Sequence, residues 1–388
     1  MATILLLALA DAAMLGRLAT RAQHAPKHEP DAALRGVMAV LHRQGLAASL
    51  DTLEQWAARD SAVLRDGHQI AHALGRQAVA DHGGDAAVIR QCRPAFASGC
   101  YHGVVEATLR DGGHIDMPRL QRLCVETERA TGPGPGYECV HGLGHGIVGA
   151  VGYDIQAALR TCDALSTSSL RTSCHSGAFM EAITTALGEP AFGGTPGHAH
   201  GAEHQHATAG SPRPQSDRRL SIDPSDPYSP CDRFADPYAS SCWLFQGFVI
   251  LRHNAFDASR AFHVCEAAPD GRAARCYQSI GHQLTGLFQR DDGWILEQCA
   301  LGRSDLAPEC AAGAALALDA IDWSGNRAVR LCAAAPAEWK EACYRSASAA
   351  LADLAPPSRR AQVCERIEAA YGPACRQAGR LAASGGPS

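Results

Sequence analysis

Six metal-ligand side chains recur at one phase of a repeating unit. Cys139 is followed by His141 two residues on and by His145 six residues on; Cys100 is followed in the same way by His102 and Glu106. One unit earlier Asp66 holds the cysteine's place, with His68 and His72 at the same two offsets. Residues four apart share a helix face, and neighbouring helices pack about 8–10 Å apart. Five imidazoles and one carboxylate would therefore meet on one patch. That is enough for one crowded transition-metal centre, or for two ions sharing a bridge. The donor types suit Zn, Fe or Cu. Glu106 is expected as a ligand or, if unligated, as a catalytic general base.

Later units dilute the pattern. Cys276 keeps His282 but has Gln278 in the first place; Cys174 has Ser176 there and Glu181 one position late. Glu181 and His282 are therefore supporting candidates. A single such histidine is more often a core residue bonded to a carbonyl. Copying of a repeat could also explain the shared phase, but the later copies would then keep the histidines, and they do not. Gly103, Gly142, Gly144 and Gly146 lie among the ligands. Glycine weakens helices, so four of them imply close helix approach or space for a ligand over the backbone.

The cysteines supply the frame. All sixteen fall into near pairs: Cys92/Cys100, Cys124/Cys139, Cys162/Cys174, Cys231/Cys242, Cys265/Cys276, Cys299/Cys310, Cys332/Cys343 and Cys364/Cys375. First members recur at a period in the thirties, apart from one gap after Cys162, which marks a repeat architecture. No pair has the close C-x2-C spacing of zinc ribbons, so structural disulfides and an oxidising compartment are expected. In loops of this size each bond is worth roughly 2.5–3 kcal/mol. The expected location is periplasmic or secreted, although the leader Ile4–Ala10 is short and is interrupted by Asp11. Residues 1–25 are read as a weak or truncated signal or anchor segment. No other stretch is apolar enough to span a membrane.

The net charge of -5 argues against a nucleic-acid partner. The 46% hydrophobic content is ample for a core, and aromatics at 6% suit small-residue helix packing. There is no H-E-x-x-H, no G-x-S-x-G and no phosphate-cradling glycine loop.

The positioning elements read as helix, turn, helix. Asp85, Asp116, Asp154, Asp257 and Ser358 precede first cysteines where caps are needed. Each second cysteine opens a second helix, so a disulfide is expected to staple the open end of each hairpin. Ser49–Ala58 and Asp66–Asp81 form one more hairpin without cysteines, and residues 31–44 a capping helix. The fold class is all-α: an α-solenoid of about nine hairpins, eight of them stapled. Residues 26–188 carry the His/Glu cluster and residues 230–380 form the regular second half. Between them, 189–229 reads as a His/Pro/Gly-rich flexible loop in which His198, His200, His204 and His206 could capture metal. Residues 381–388 read as a disordered tail.

Period, helix pairing and one cysteine pair per unit resemble the Sel1-like, TPR-related cysteine-rich repeat proteins over roughly residues 50–380. The resemblance implies a curved array with a concave binding surface and carries no catalytic residues. Two functions follow. One is an exported metal-binding repeat protein, with a metal-dependent enzyme, hydrolytic or oxidative, as its expected form, using a His/Glu site on the concave face; a small molecule, a peptide or a cell-wall fragment is the expected partner. The alternative is a non-catalytic solenoid that binds a peptide, a cell-wall fragment or a metal ion. Since surface-loop length costs little entropy, deleting residues 195–215 should leave helicity and melting temperature nearly unchanged. Collapse of the circular-dichroism signal would show that the segment packs.

Overall fold

The computed structural model describes residues 30–82, 85–110, 115–188, 219–269, 271–288, 290–373 and 375–377. These residues are all-α, and their only extended pairing is an isolated bridge between Asp154 and Arg219. Pro30–Gln44 (α1), Leu46–Ala57 (α2) and Ser61–His82 (α3) form the cysteine-free start. Three hairpins follow: Asp85–Ile89 (α4) with Gly99–Arg110 (α5), Met117–Thr131 (α6) with Pro133–Ala150 (α7), and Ile155–Cys162 (α8) with Ser168–Ala186 (α9). In the second half a 3-10 turn at Cys231–Arg233 leads to Tyr238–His253 (α10). Then come Ala258–Glu266 (α11) with Ala273–Phe288 (α12), Asp292–Cys299 (α13) with Ala307–Asp322 (α14), Asn326–Ala334 (α15) with Lys340–Leu354 (α16), and Pro357–Arg366 (α17).

Helix α8 shows why these segments fold this way. Ile155, Ala158, Leu159 and Cys162 bury one stripe at amphipathic spacing, and the Asp154 carboxylate accepts from the Ala157 amide. Asp116 and Asp257 cap α6 and α11 in the same manner. Ser358 does not cap: Pro356 holds that place and Ser358 lies inside α17. Asp85 is the first residue of α4.

All eight cysteine pairs are bonded in sequence order, with Cα atoms 5.4–5.7 Å apart. In the first half the bonds are Cys92–Cys100, Cys124–Cys139 and Cys162–Cys174. In the second half they are Cys231–Cys242, Cys265–Cys276, Cys299–Cys310, Cys332–Cys343 and Cys364–Cys375. All sixteen cysteines are buried. The expected position of the staples needs correction: they sit at the turn ends of the hairpins and not at their open ends. First cysteines such as Cys162 and Cys299 close a first helix. Cys100 opens its helix as expected, but the second cysteines of the second half lie about one turn in, as Cys242 does in α10, Cys276 in α12, Cys310 in α14 and Cys343 in α16. The bond therefore crosses the short connection between two helices. Cys375 lies beyond α17 and ties the last described residues back to Cys364 within that helix.

The long helices α3, α5, α7, α9, α10, α12, α14 and α16 pack side by side in chain order. The row then turns back, because α16 also packs against α7, and Ser169 Oγ of α9 donates to Asp353 of α16 at 2.8 Å. Residues 219–229, expected in the flexible loop, are packed instead. The Gln246 amide donates to the carbonyls of Pro227 and Ser229 at 2.9 and 3.0 Å, and the Tyr228 hydroxyl to that of Val264. His198, His200, His204 and His206 lie outside the described residues.

Adjacent long helices approach until backbone meets backbone. A Cβ on Gly103 would lie 2.0 Å from the His72 carbonyl oxygen, and one on Gly144 2.1 Å from that of Cys174. Close approach is thus the reason for these glycines. Gly103→Ala should cost about 1–3 kcal/mol through overpacking, despite the roughly 1 kcal/mol of helix propensity it gains. Gly149→Ala, with nothing within 4 Å of the new methyl, should stabilise slightly. Denaturant titration of both variants checks this, and a Gly103→Ala variant as stable as the wild type would refute the close-contact account.

Candidate metal centre

Helices α3, α5 and α7 bring all five phased histidines together. His72, His102, His141 and His145 are buried and His68 is half-buried. The site therefore lies inside the helix row and not on an open concave surface. Its tightest part is a triangle of nitrogens: His72 Nε2 is 3.2 Å from His68 Nε2 and 3.2 Å from His102 Nδ1. Two ligands at about 2.05 Å on a tetrahedral zinc ion stand ~3.3 Å apart. A second group, His102, His141 and His145, brings one donor atom of each within 4.8 Å of the others. His102 belongs to both groups, and its ring stacks on that of His145 at 4.8 Å.

Each outward-facing nitrogen of the triangle has an oxygen behind it. His68 Nδ1 donates to the Phe96 carbonyl at 2.7 Å. His72 Nδ1 lies 3.1 Å from Glu106 Oε1, and the other Glu106 oxygen accepts from Arg76 at 2.7 Å. His102 Nε2 faces Glu138 Oε2 at 3.4 Å, and His145 Nδ1 faces Glu181 Oε2 at 3.2 Å. A carbonyl or ionised carboxylate accepts only, so it fixes the proton on the nitrogen that faces it. His68 then presents a bare Nε2 lone pair to His72, and in the His72 tautomer that points its proton at Glu106 the two Nε2 lone pairs oppose one another. Two acceptors at that distance repel unless a cation lies between them.

The electrostatics favour neutral, ligand-ready imidazoles. Burial, reinforced by the neighbouring imidazoles, holds His68, His102 and His141 well below their ordinary pKa. Burial lowers His72 to about 4 although Glu106 opposes it, and lowers His282 to about 4. For Glu106 burial acts upward, but His72 and Arg76 outweigh it and hold the carboxyl below its usual range. Burial raises Glu138 to about 8.

Glu106 thus changes role. Clamped as an anion between Arg76 and His72, it makes a weak base and lies in neither nitrogen group; it orients His72. Glu181 does the same for His145. His282 faces His141 electrostatically but joins neither group, and its Nδ1 lies 3.2 Å from the Gln283 amide. Arg76 and Glu138 were missed, because only the two histidine offsets carried a repeat signal. Also missed was His175, one residue past Cys174. Its Nε2 lies 3.0 Å from Asp163, which also accepts from the Tyr238 hydroxyl, so it joins α8, α9 and α10 away from the cluster.

The turn that supplies the Phe96 carbonyl is strained. Phe96, Ala97 and Ser98 have φ of 56°, 47° and 62°, a left-handed conformation that costs L-residues about 1–2 kcal/mol each. The Cys92–Cys100 bond closes across it. Such strain gathers at ligand sites.

No family model, curated protein or solved structure matches the chain. The Sel1-like resemblance rests on period and paired cysteines alone.

Imidazoles whose folded pKa is depressed bind fewer protons than their unfolded counterparts below about pH 6.5. Stability is therefore lost as pH falls from about 6.5 toward the lowered values, by up to ~1.4 kcal/mol per pH unit for each such group. Glu138 acts in the opposite sense, losing stability as pH rises from its usual range toward about 8. The five depressed imidazoles outnumber it. The melting temperature of chelator-treated protein should fall steadily between pH 6.5 and 4.5, and less steeply in His72→Gln. A flat profile would contradict neutral burial.

Proposed function

We propose that this chain is a metal-binding helical repeat protein that holds a transition ion in a buried histidine centre. The observation that carries the reading is the His68–His72–His102 group: one donor atom of each lies within 4.8 Å of the others, two of the spacings are 3.2 Å, and each ring has an oxygen behind it. His141 and His145 extend the donor set past His102, enough for a fuller shell or for a second ion. Zn, Fe and Cu all suit imidazole donors.

Burial shapes the chemistry. Groups this enclosed are not reached by a peptide or a cell-wall strand, which weighs against the binding-platform reading at this site. A reaction here would use small co-reactants such as water or dioxygen, with the bound ion supplying Lewis acidity or redox chemistry. Glu106, Glu181 and Glu138 would orient ligands. The eight disulfides support an oxidising, exported setting. Among the described residues no helix is long and apolar enough to cross a membrane.

Protein folded in an oxidising compartment and dialysed free of loose metal should carry at least one ion by elemental analysis. His102→Ala should abolish it and His72→Ala should reduce it at least a hundredfold in affinity, with the disulfide-bonded fold retained. The exposed His253 and His263 should tolerate alanine. A metal-free wild type that takes up no Zn, Cu or Fe would end the proposal.

A further inference from the structure

We infer that Trp323, from the ligand-free second half of the chain, positions the metal ligand His102 through Glu138. The inference rests on the metal-binding reading and deepens it by giving the returning end of the helix row a task at the centre.

The geometry begins where α14 ends. Trp323 takes a left-handed conformation, φ 53°, and its amide donates to the Asp319 carbonyl. This turns the indole out of its own hairpin and onto α7. A Cβ on Gly134 would lie 2.5 Å from the indole ring, so the ring rests on bare backbone. Tyr101 of α5 flanks it, with ring centroids 6.0 Å apart. Gly134 and Glu138 are four residues apart and share a face of α7, so an indole seated on the first stands beside the second. Ser98 and Trp323 are the polar neighbours of the Glu138 carboxyl. Ser98 Oγ and Trp323 Nε1 are both buried and make no well-formed hydrogen bond, to Glu138 or to any other group. Beyond the carboxyl, Glu138 Oε2 faces His102 Nε2 at 3.4 Å.

Buried donors without partners are costly, so the indole N–H and the Ser98 hydroxyl are best satisfied by the carboxylate when an ion draws His102 into place. His102 would then donate through Nε2 to an anchored carboxylate and offer Nδ1 to the metal. Outer groups of this kind typically change metal affinity by 10–100-fold when removed. The arrangement also goes with closure of the row, because α16, the long helix of the hairpin that follows Trp323, packs on α7.

The test compares Zn affinity and the Co(II) absorption spectrum of the whole protein in wild type, Trp323→Phe, Glu138→Gln and the double variant. Phenylalanine keeps a ring on Gly134 and removes only the indole N–H. Trp323→Phe should weaken Zn about tenfold and shift the Co(II) bands, Glu138→Gln should do at least as much, and the double variant should be no worse than Glu138→Gln alone. Trp294→Phe, remote from the centre, should behave as wild type. Unchanged Zn and Co(II) behaviour in Trp323→Phe, or additive losses in the double variant, would overturn the inference while leaving the metal reading standing. If Trp323→Phe does not fold, Glu138→Gln decides: wild-type affinity and spectrum overturn the link, and a weakened, shifted site upholds it. A wild type that binds neither ion overturns both proposals.

Discussion

Helix-to-helix distance is the constraint on which the rest depends. Imidazoles on separate helices meet at ligand spacing only if the helices come closer than ordinary side chains allow. Gly103 against the His72 carbonyl, and Gly142 against the His102 backbone, achieve this by leaving nothing between the backbones. The same approach seals the cluster from solvent. Burial then keeps the rings neutral, and neutrality makes them donors for a cation. Packing, protonation and binding capacity thus share one origin in residues that have no side chain.

Much of this was legible in advance because repeats supply their own ruler. The cysteine pairing, the helical hairpins and the convergence of His68, His72, His102, His141 and His145 all follow from offsets. So do the caps at Asp116, Asp154 and Asp257, whose short side chains act within one turn. What was not legible depends on contacts between units. Glu138 sits outside the two histidine offsets, and only the packed structure puts it behind His102. Arg76 converts Glu106 from a prospective base into a fixed anion, which no spacing rule announces. Pairing was readable for Cys242, Cys343 and Cys375, but not their depth within the following segment, because helix starts are set by the turn before them. The concave surface expected of an open array became an interior because α16 returns to α7. That closure is a sum of small rotations between neighbours, which local pattern does not record.

The two halves of the molecule divide the labour unequally. The first carries the donors and the strained Phe96–Ser98 turn. The second is more regular and richer in alanine, and it contributes shape. One of its contacts with the first half is the placing of Trp323 on Gly134, where a left-handed residue carries a side chain from one hairpin to another.

The local character of the disulfides has a consequence for biogenesis. Partners are separated by only 8 to 15 residues, and no bond spans another. A chain threaded N-terminus first into an oxidising space presents each cysteine's proper partner before the next pair arrives. Sixteen thiols offer a very large number of wrong pairings in solution, yet a chain emerging in order meets them two at a time. Correct oxidation is then a matter of delivery, with little need for later reshuffling.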